Sequence, residues 1–87
     1  MLESAIENAI VKYVKDRGGL CLKWVSPGFT GVPDRIVLMP GGRVFFCEIK
    51  RPGEELRPRQ KRVKAQIESL GFTVLRVTGK EDLDGYL

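Results

Sequence analysis

The stretch "GVPDRIVLMPGGRVFFCEIKRPG", residues 31–53, decides how the rest of the chain is read. Two apolar runs flank Pro40-Gly41-Gly42, a tight-turn tripeptide, which makes a β-hairpin with strands over 33–39 and 43–50. Side chains alternate along a strand, so Val44, Phe46, Glu48 and Lys50 share one face, as do Asp34, Ile36 and Leu38. A turn centred on Gly41 sets residue 39 opposite 43, 36 opposite 46, and Asp34 opposite Glu48. Directly opposed Cβ atoms lie ~4.5–5.5 Å apart, and two like charges at that spacing destabilise a sheet, more so when buried. A chain that keeps both carboxylates needs a cation between them. Lys50, two residues on, supplies one charge. A divalent ion supplies more: Mg²⁺ takes hard oxygen ligands at ~2.0–2.1 Å, typically one or two carboxylates with waters and substrate phosphates. The bland alternative is a structural ion pair of Asp34 or Glu48 with Lys50 or Arg35.

Around the hairpin the chain reads as αβββαβ(α), an α/β protein with a small mixed sheet flanked by helices. Leu2, Ala5, Ile6, Ala9, Ile10, Tyr13 and Val14 follow a 3.6-residue period and predict a helix over 2–17, stopped by Gly18-Gly19. "LCLKWV", 20–25, predicts a first strand, and "SPGFTG", 26–31, a loop. The strand over 43–50 is apolar on both faces and is expected to be central. "RPGEELRP", 51–58, is a loop, and a helix over 59–70 ends at Gly71. "FTVLRV", 72–77, follows that helix as a fourth strand, so the third and fourth strands form a parallel βαβ unit. The tail from Thr78 is expected to hold a short final helix. No repeat or linker divides residues 1–87, which read as a single domain.

Composition narrows the chemistry. The 87 residues include no His, which removes Ser-His and Cys-His nucleophiles and ordinary zinc sites. Cys21 and Cys47, both within predicted strands, are expected to be core residues. Catalysis must then use carboxylates, lysine or a hard metal ion. The net charge is +4, and seven basic residues fall between Lys50 and Lys64 against Glu54 and Glu55. Such a segment suits a polyanion, with Arg51, Arg57, Arg59, Lys61 and Arg62 as contacts to a nucleic-acid backbone. No apolar run approaches the ~20 residues of a membrane-spanning helix, and the first residues are acidic rather than signal-like. The expected location is intracellular, in the cytoplasm. No membrane partner and no small-molecule cofactor are expected.

Pro33-Asp34 followed by Glu48-Ile49-Lys50 resembles the PD-(D/E)xK nuclease superfamily. From "IENAIVKYV" to "EDLDGYL" the chain resembles the VRR-NUC branch, in particular its compact stand-alone, phage-type members. The resemblance implies a restriction-endonuclease-like core and metal-assisted phosphodiester hydrolysis. It implies that Asp34, Glu48 and the backbone carbonyl of Ile49 ligate Mg²⁺, with Mn²⁺ also supporting activity, and that Lys50 orients or activates the attacking water. Glu7 in "IENA" matches a helix-borne glutamate that joins the metal's water shell, with Glu3 as its rival. Gln60 in "RPRQKR" matches a glutamine that holds Lys50 or a water.

Nothing in the sequence looks like a base-reading element, so the expected substrate is a DNA structure. The leading expectation is a homodimeric endonuclease that cuts four-way (Holliday) junctions, since a two-fold dimer suits a two-fold substrate. A monomeric flap or nicking endonuclease, a non-catalytic basic DNA-binding module, and an RNA substrate are the alternatives.

Overall fold

The computed structural model describes residues 2–87. A helix, α1 (Glu3–Asp16), leads into strand β1 (Leu20–Lys23). After a long loop come β2 (Arg35–Met39) and β3 (Arg43–Ile49), then α2 (Pro58–Ser69), β4 (Thr73–Val77) and a single 3₁₀ turn, Lys80–Leu83. The four strands form one sheet in the order β1-β2-β3-β4. β1 and β3 each run antiparallel to β2, while β3 and β4 are parallel, as the intervening helix requires.

The hairpin register is Arg35↔Cys47, Ile36↔Phe46, Leu38↔Val44 and Met39↔Arg43, the pairing expected from a turn centred on Gly41. Gly41 and Gly42 both have positive φ, 84° and 76°, the backbone that lets a short turn match the twist of its strands. The strands end sooner than the sequence suggested. β1 stops at Lys23, β2 begins at Arg35, and Lys50 lies just beyond β3. The chain leaves β1 toward Pro27-Gly28, which cannot continue a ladder.

One face of the sheet carries the main core. Val37, Met39, Phe45, Cys47, Ile49 and Val77 are buried there beneath Ile6, Ile10 and Val14 of α1, with Leu83 of the 3₁₀ turn closing one end. The stripe on α1 is narrower than its periodicity implied: Leu2 is 72% exposed, and Ala5 and Ala9 are exposed too. Cys47 is fully buried, and burial pushes its thiol up to about 12; Cys21 is half-buried, its thiol also raised by burial. Both are free; Cys47 lies in the core and Cys21 packs against its edge.

Cross-strand pairing organises the opposite face into rows. Leu20, Leu38 and Val44 are opposed in one row, with Phe72 one step outside the β4 ladder; Leu22, Ile36, Phe46 and Val74 form the next. One step further, Trp24, Asp34, Glu48 and Arg76 follow, with Glu48 paired to Arg76 and the Trp24 N–H donating to the Asp34 carbonyl at 3.0 Å. An aromatic chain supports this row: Trp24 lies 5.2 Å from Phe46, and Phe46 lies 5.8 Å from Phe72, edge to face. Two apolar rows thus end in a charged one. Among the described residues no helix is long and apolar enough to cross a membrane.

Candidate active site

Asp34 sits immediately before β2, and the hairpin register extended by one step sets it opposite Glu48. Its carboxylate takes the place of a ladder carbonyl: Oδ2 accepts the Ile49 N–H at 2.7 Å. This fixes Asp34 against the strand bearing Glu48 and Lys50, at the sheet end. Burial raises the Asp34 carboxyl above its ordinary range, the Ile49 N–H opposes that rise, and the negative charge of Glu7 adds to it.

Glu48 is fully buried, and neither carboxylate oxygen has a hydrogen-bond partner. Burial, with the Asp34 charge second, pushes its carboxyl up to about 7; the Lys50 charge and the Asp34 backbone N–H, which lies near but outside hydrogen-bond geometry, pull the other way. A carboxylate in this position is costly unless something satisfies it. Lys50 is also buried, and its backbone N–H donates to the Val77 carbonyl at 2.9 Å, which anchors the residue where β3 and β4 end. No ion pair joins Asp34 or Glu48 to Lys50 or Arg35 among the described residues. The bland alternative raised by the sequence, a closed structural ion pair, is therefore absent.

Arg35 points to the other face of the sheet. Its Nε donates to Glu7 Oε2 at 2.7 Å, and its Nη1 donates to the Cys21 carbonyl at 3.3 Å. Glu7, not Glu3, is thus the α1 carboxylate drawn to the sheet, but an arginine holds it. Among the described residues no group of three or more His, Cys, Asp and Glu side chains is gathered as a metal site. The carboxylate pair Asp34 and Glu48 stands without Glu7 as a third member. The Glu7–Arg35 pair is mostly buried, with side chains 23% and 17% exposed. Arg35→Met is expected to lower stability by about 1 kcal/mol, a Tm drop of about 4–8 °C for a domain of this size. A thermal melt of Arg35→Met, Glu7→Gln and the double variant checks this. If the two single losses simply add, the pair is not coupled.

Gln60 has a local partner that its match did not imply. Its side-chain oxygen accepts the Arg57 N–H at 2.9 Å, which caps the first turn of α2. Arg51, Arg57, Arg59, Lys61 and Arg62 are all exposed. Arg76, which sequence reading left unassigned, does not neutralise Glu48 across the ladder. Its Nε donates to the Glu54 carbonyl at 3.0 Å and so ties down the loop between β3 and α2. The alternation of β4 put Arg76 on this face, but nothing local indicated its partner.

The donor set suits a hard divalent cation. Two hard oxygen groups lie at adjacent strand ends, and one of them has both oxygens orphaned in the interior. Asp34, Glu48 and the Ile49 carbonyl are the groups that would hold such an ion.

No family model matches the chain. "Putative nuclease p44" of Acyrthosiphon pisum secondary endosymbiont phage 1 is 44% identical over 85 residues, spanning 98% of this chain and 90% of that relative. A solved structure of a VRR_NUC domain superposes with a TM-score of 0.88 at 26% identity, covering 95% of this chain and 90% of that one. Identity that runs nearly end to end along a phage nuclease, together with this shared fold, means that the chain belongs to the VRR-NUC family of nucleases.

Proposed function

We propose that the protein is a Mg²⁺-dependent endonuclease acting on branched DNA, as a homodimer that cuts four-way junctions. The observation that carries the metal-dependent reading is the buried, unpartnered Glu48 opposite Asp34. Asp34, Glu48 and the Ile49 carbonyl hold the ion. Mg²⁺ or Mn²⁺ held there would supply Lewis acidity toward the scissile phosphate, a water and the leaving oxygen. Asp34 is held in place by the Ile49 N–H and loses no freedom when it binds. The Lys50 ammonium, whose charge reaches both carboxylates from a residue that is otherwise buried, donates to the attacking water and offsets charge that builds on the phosphate. Arg51, Arg57, Arg59, Lys61 and Arg62 bind the backbone without reading sequence, and that binding weakens as salt rises.

The open sheet face supports the dimer. Leu20, Leu22, Val44 and Phe72 are 58%, 44%, 39% and 45% exposed, on two adjacent rows that hold no charge. Chains of net charge +4 repel one another, and an uncharged apolar face is where two copies can meet.

The test is cleavage of labelled four-way junction, flap, nicked and linear duplexes in Mg²⁺, Mn²⁺ and EDTA, with sedimentation of the same samples. Paired symmetric cuts in the junction, dependent on the metal, are expected. Leu22→Glu is expected to give a monomer that nicks without pairing its cuts. Cleavage of flaps alone by a monomeric wild type would replace the junction with a flap substrate. Metal-independent binding with no cleavage would leave a DNA-binding module.

A further inference from the structure

Residues Trp24–Pro33, "WVSPGFTGVP", form a run of ten without a charge in a chain that is 30% charged. The loop they make is closed at its base by the Trp24 N–H on the Asp34 backbone carbonyl, so it rises directly from a residue of the site. Its returning leg is fixed to α2. Arg59 Nε donates to the Thr30 carbonyl at 3.2 Å, and Pro33 is fully buried. Gly31, at φ 84°, lies so close to the helix that a Cβ there would come within 2.7 Å of Arg59 Cγ and 3.1 Å of Val63 Cγ2.

The outgoing leg is uncovered. Val25 is 72% exposed and Phe29 44%, while the Phe29 N–H closes a turn on the Ser26 carbonyl at 3.3 Å. The Arg59 guanidinium lies 5.3 Å from the Phe29 ring centre, so the ring has a cation on one side and is held on a rigid support. An exposed apolar loop in the basic half of the molecule is unsuited to phosphates, and its aromatic is suited to the apolar faces of bases.

Building on the branched-DNA reading above, we infer that Phe29 is a wedge that stacks on an unpaired or unstacked base at the branch point, with Arg59 engaging the neighbouring phosphate. Asp34 lies five positions after Phe29, a span of at most roughly 17 Å. A phosphate at the site therefore has about five base steps within reach of the ring. Every base offers a π-face, so the contact reads unstacking rather than sequence. Fully stacked duplex gives the ring nothing to bind, and a junction does. The loop thereby selects DNA structure.

The test uses the full chain and a synthetic four-way junction with 2-aminopurine at the branch, bound in Ca²⁺, alongside single-turnover cleavage in Mg²⁺. Phe29→Ala and Phe29→Leu are expected to lose about 10-fold in kcat/KM on the junction and less than about 2-fold on nicked or linear duplex. Phe29→Trp retains the wild-type preference. Phe29→Leu keeps the loop's apolar packing, and a thermal melt verifies that it is folded. The 2-aminopurine signal is expected to change when wild type binds and not when Phe29→Leu binds. Equal losses on every substrate, or an unchanged 2-aminopurine signal with wild type, would overturn the wedge. So would a Phe29→Leu defect that tracks dissociation of two copies in sedimentation, which would make the loop a protein contact. A wild type that gives the fluorescence change yet cuts no junction leaves the wedge standing and overturns the junction-cleaving reading.

Discussion

Glu48→Gln is expected to abolish phosphodiester cleavage, by at least about 10³-fold, while making the metal-free protein more stable above pH 7. The two effects share one cause. Glu48 is buried with both oxygens unpartnered, and its carboxyl titrates at about 7 against an ordinary 4.5. Because the folded-state value is the higher one, the folded protein holds this proton after the unfolded chain has released it. Stability from this group is therefore whole below about 4.5 and is lost as pH rises toward 7, after which the loss is constant. Glutamine carries no charge to desolvate, and its amide can donate toward Asp34. In EDTA at pH 8 the variant is expected to gain on the order of 2 kcal/mol, or roughly 10 °C in Tm, and at pH 4.5 almost nothing. Mg²⁺ is expected to raise the Tm of wild type at pH 8, to do so much less at pH 5.5, and to leave Glu48→Gln unmoved. Melts at three pH values with and without Mg²⁺ measure all of this. A Glu48→Gln protein that melts below wild type in EDTA at pH 8 would show that the buried charge carries no such cost.

That cost was legible in the sequence because it depends on two local rules. Alternation along a strand and a glycine turn fix which side chains oppose, and here Ile36↔Phe46 in the hairpin leads directly to Asp34 opposite Glu48. The parallel pairing of β3 with β4 followed as directly from the helix between them. What the sequence did not reveal depends on how separate elements pack. Nothing near Arg35 indicates that it turns away from the carboxylates to bind Glu7, 28 residues earlier, because that contact exists only once α1 lies across β1 and β2. Gln60 shows the same limit at shorter range. Its role as a cap depends on the helix starting at Pro58 rather than at Arg59, a shift of one residue that sets Gln60 in the first turn with its oxygen on the Arg57 N–H. Turn residues mark a loop only over 26–31, with Trp24 and Val25 expected in the first strand and Pro33 in the second, whereas those strands end at Lys23 and begin at Arg35. The absence of charge over 24–33 was visible, but the loop's attachment to α2 through Arg59 and Gly31 was not.

Lys50→Met is expected to separate the two roles a buried lysine can have beside paired carboxylates. Lys50 is 5% exposed where β3 ends, and its charge lowers the titration of both Asp34 and Glu48. Methionine fills a similar volume and removes the charge, so both carboxyls titrate higher and the metal site forms only at higher pH. If balancing the carboxylates were the whole role, saturating Mg²⁺ at pH 8.5 would restore cleavage, since both acids are then ionised. The catalytic role assigned to Lys50 predicts otherwise. Under those conditions single-turnover cleavage is expected to stay about 10²–10³-fold below wild type, because no ammonium donates to the water or to the charge developing on phosphate. The half-saturating Mg²⁺ concentration, measured at pH 6.5, 7.5 and 8.5, should rise most at the lowest pH. Lys50→Arg restores the charge but not the compact donor, so it is expected to recover metal binding and not the rate. A Lys50→Met protein that cleaves within about 10-fold of wild type in saturating Mg²⁺ at pH 8.5 would reduce Lys50 to a counter-charge and move activation of the water to another group.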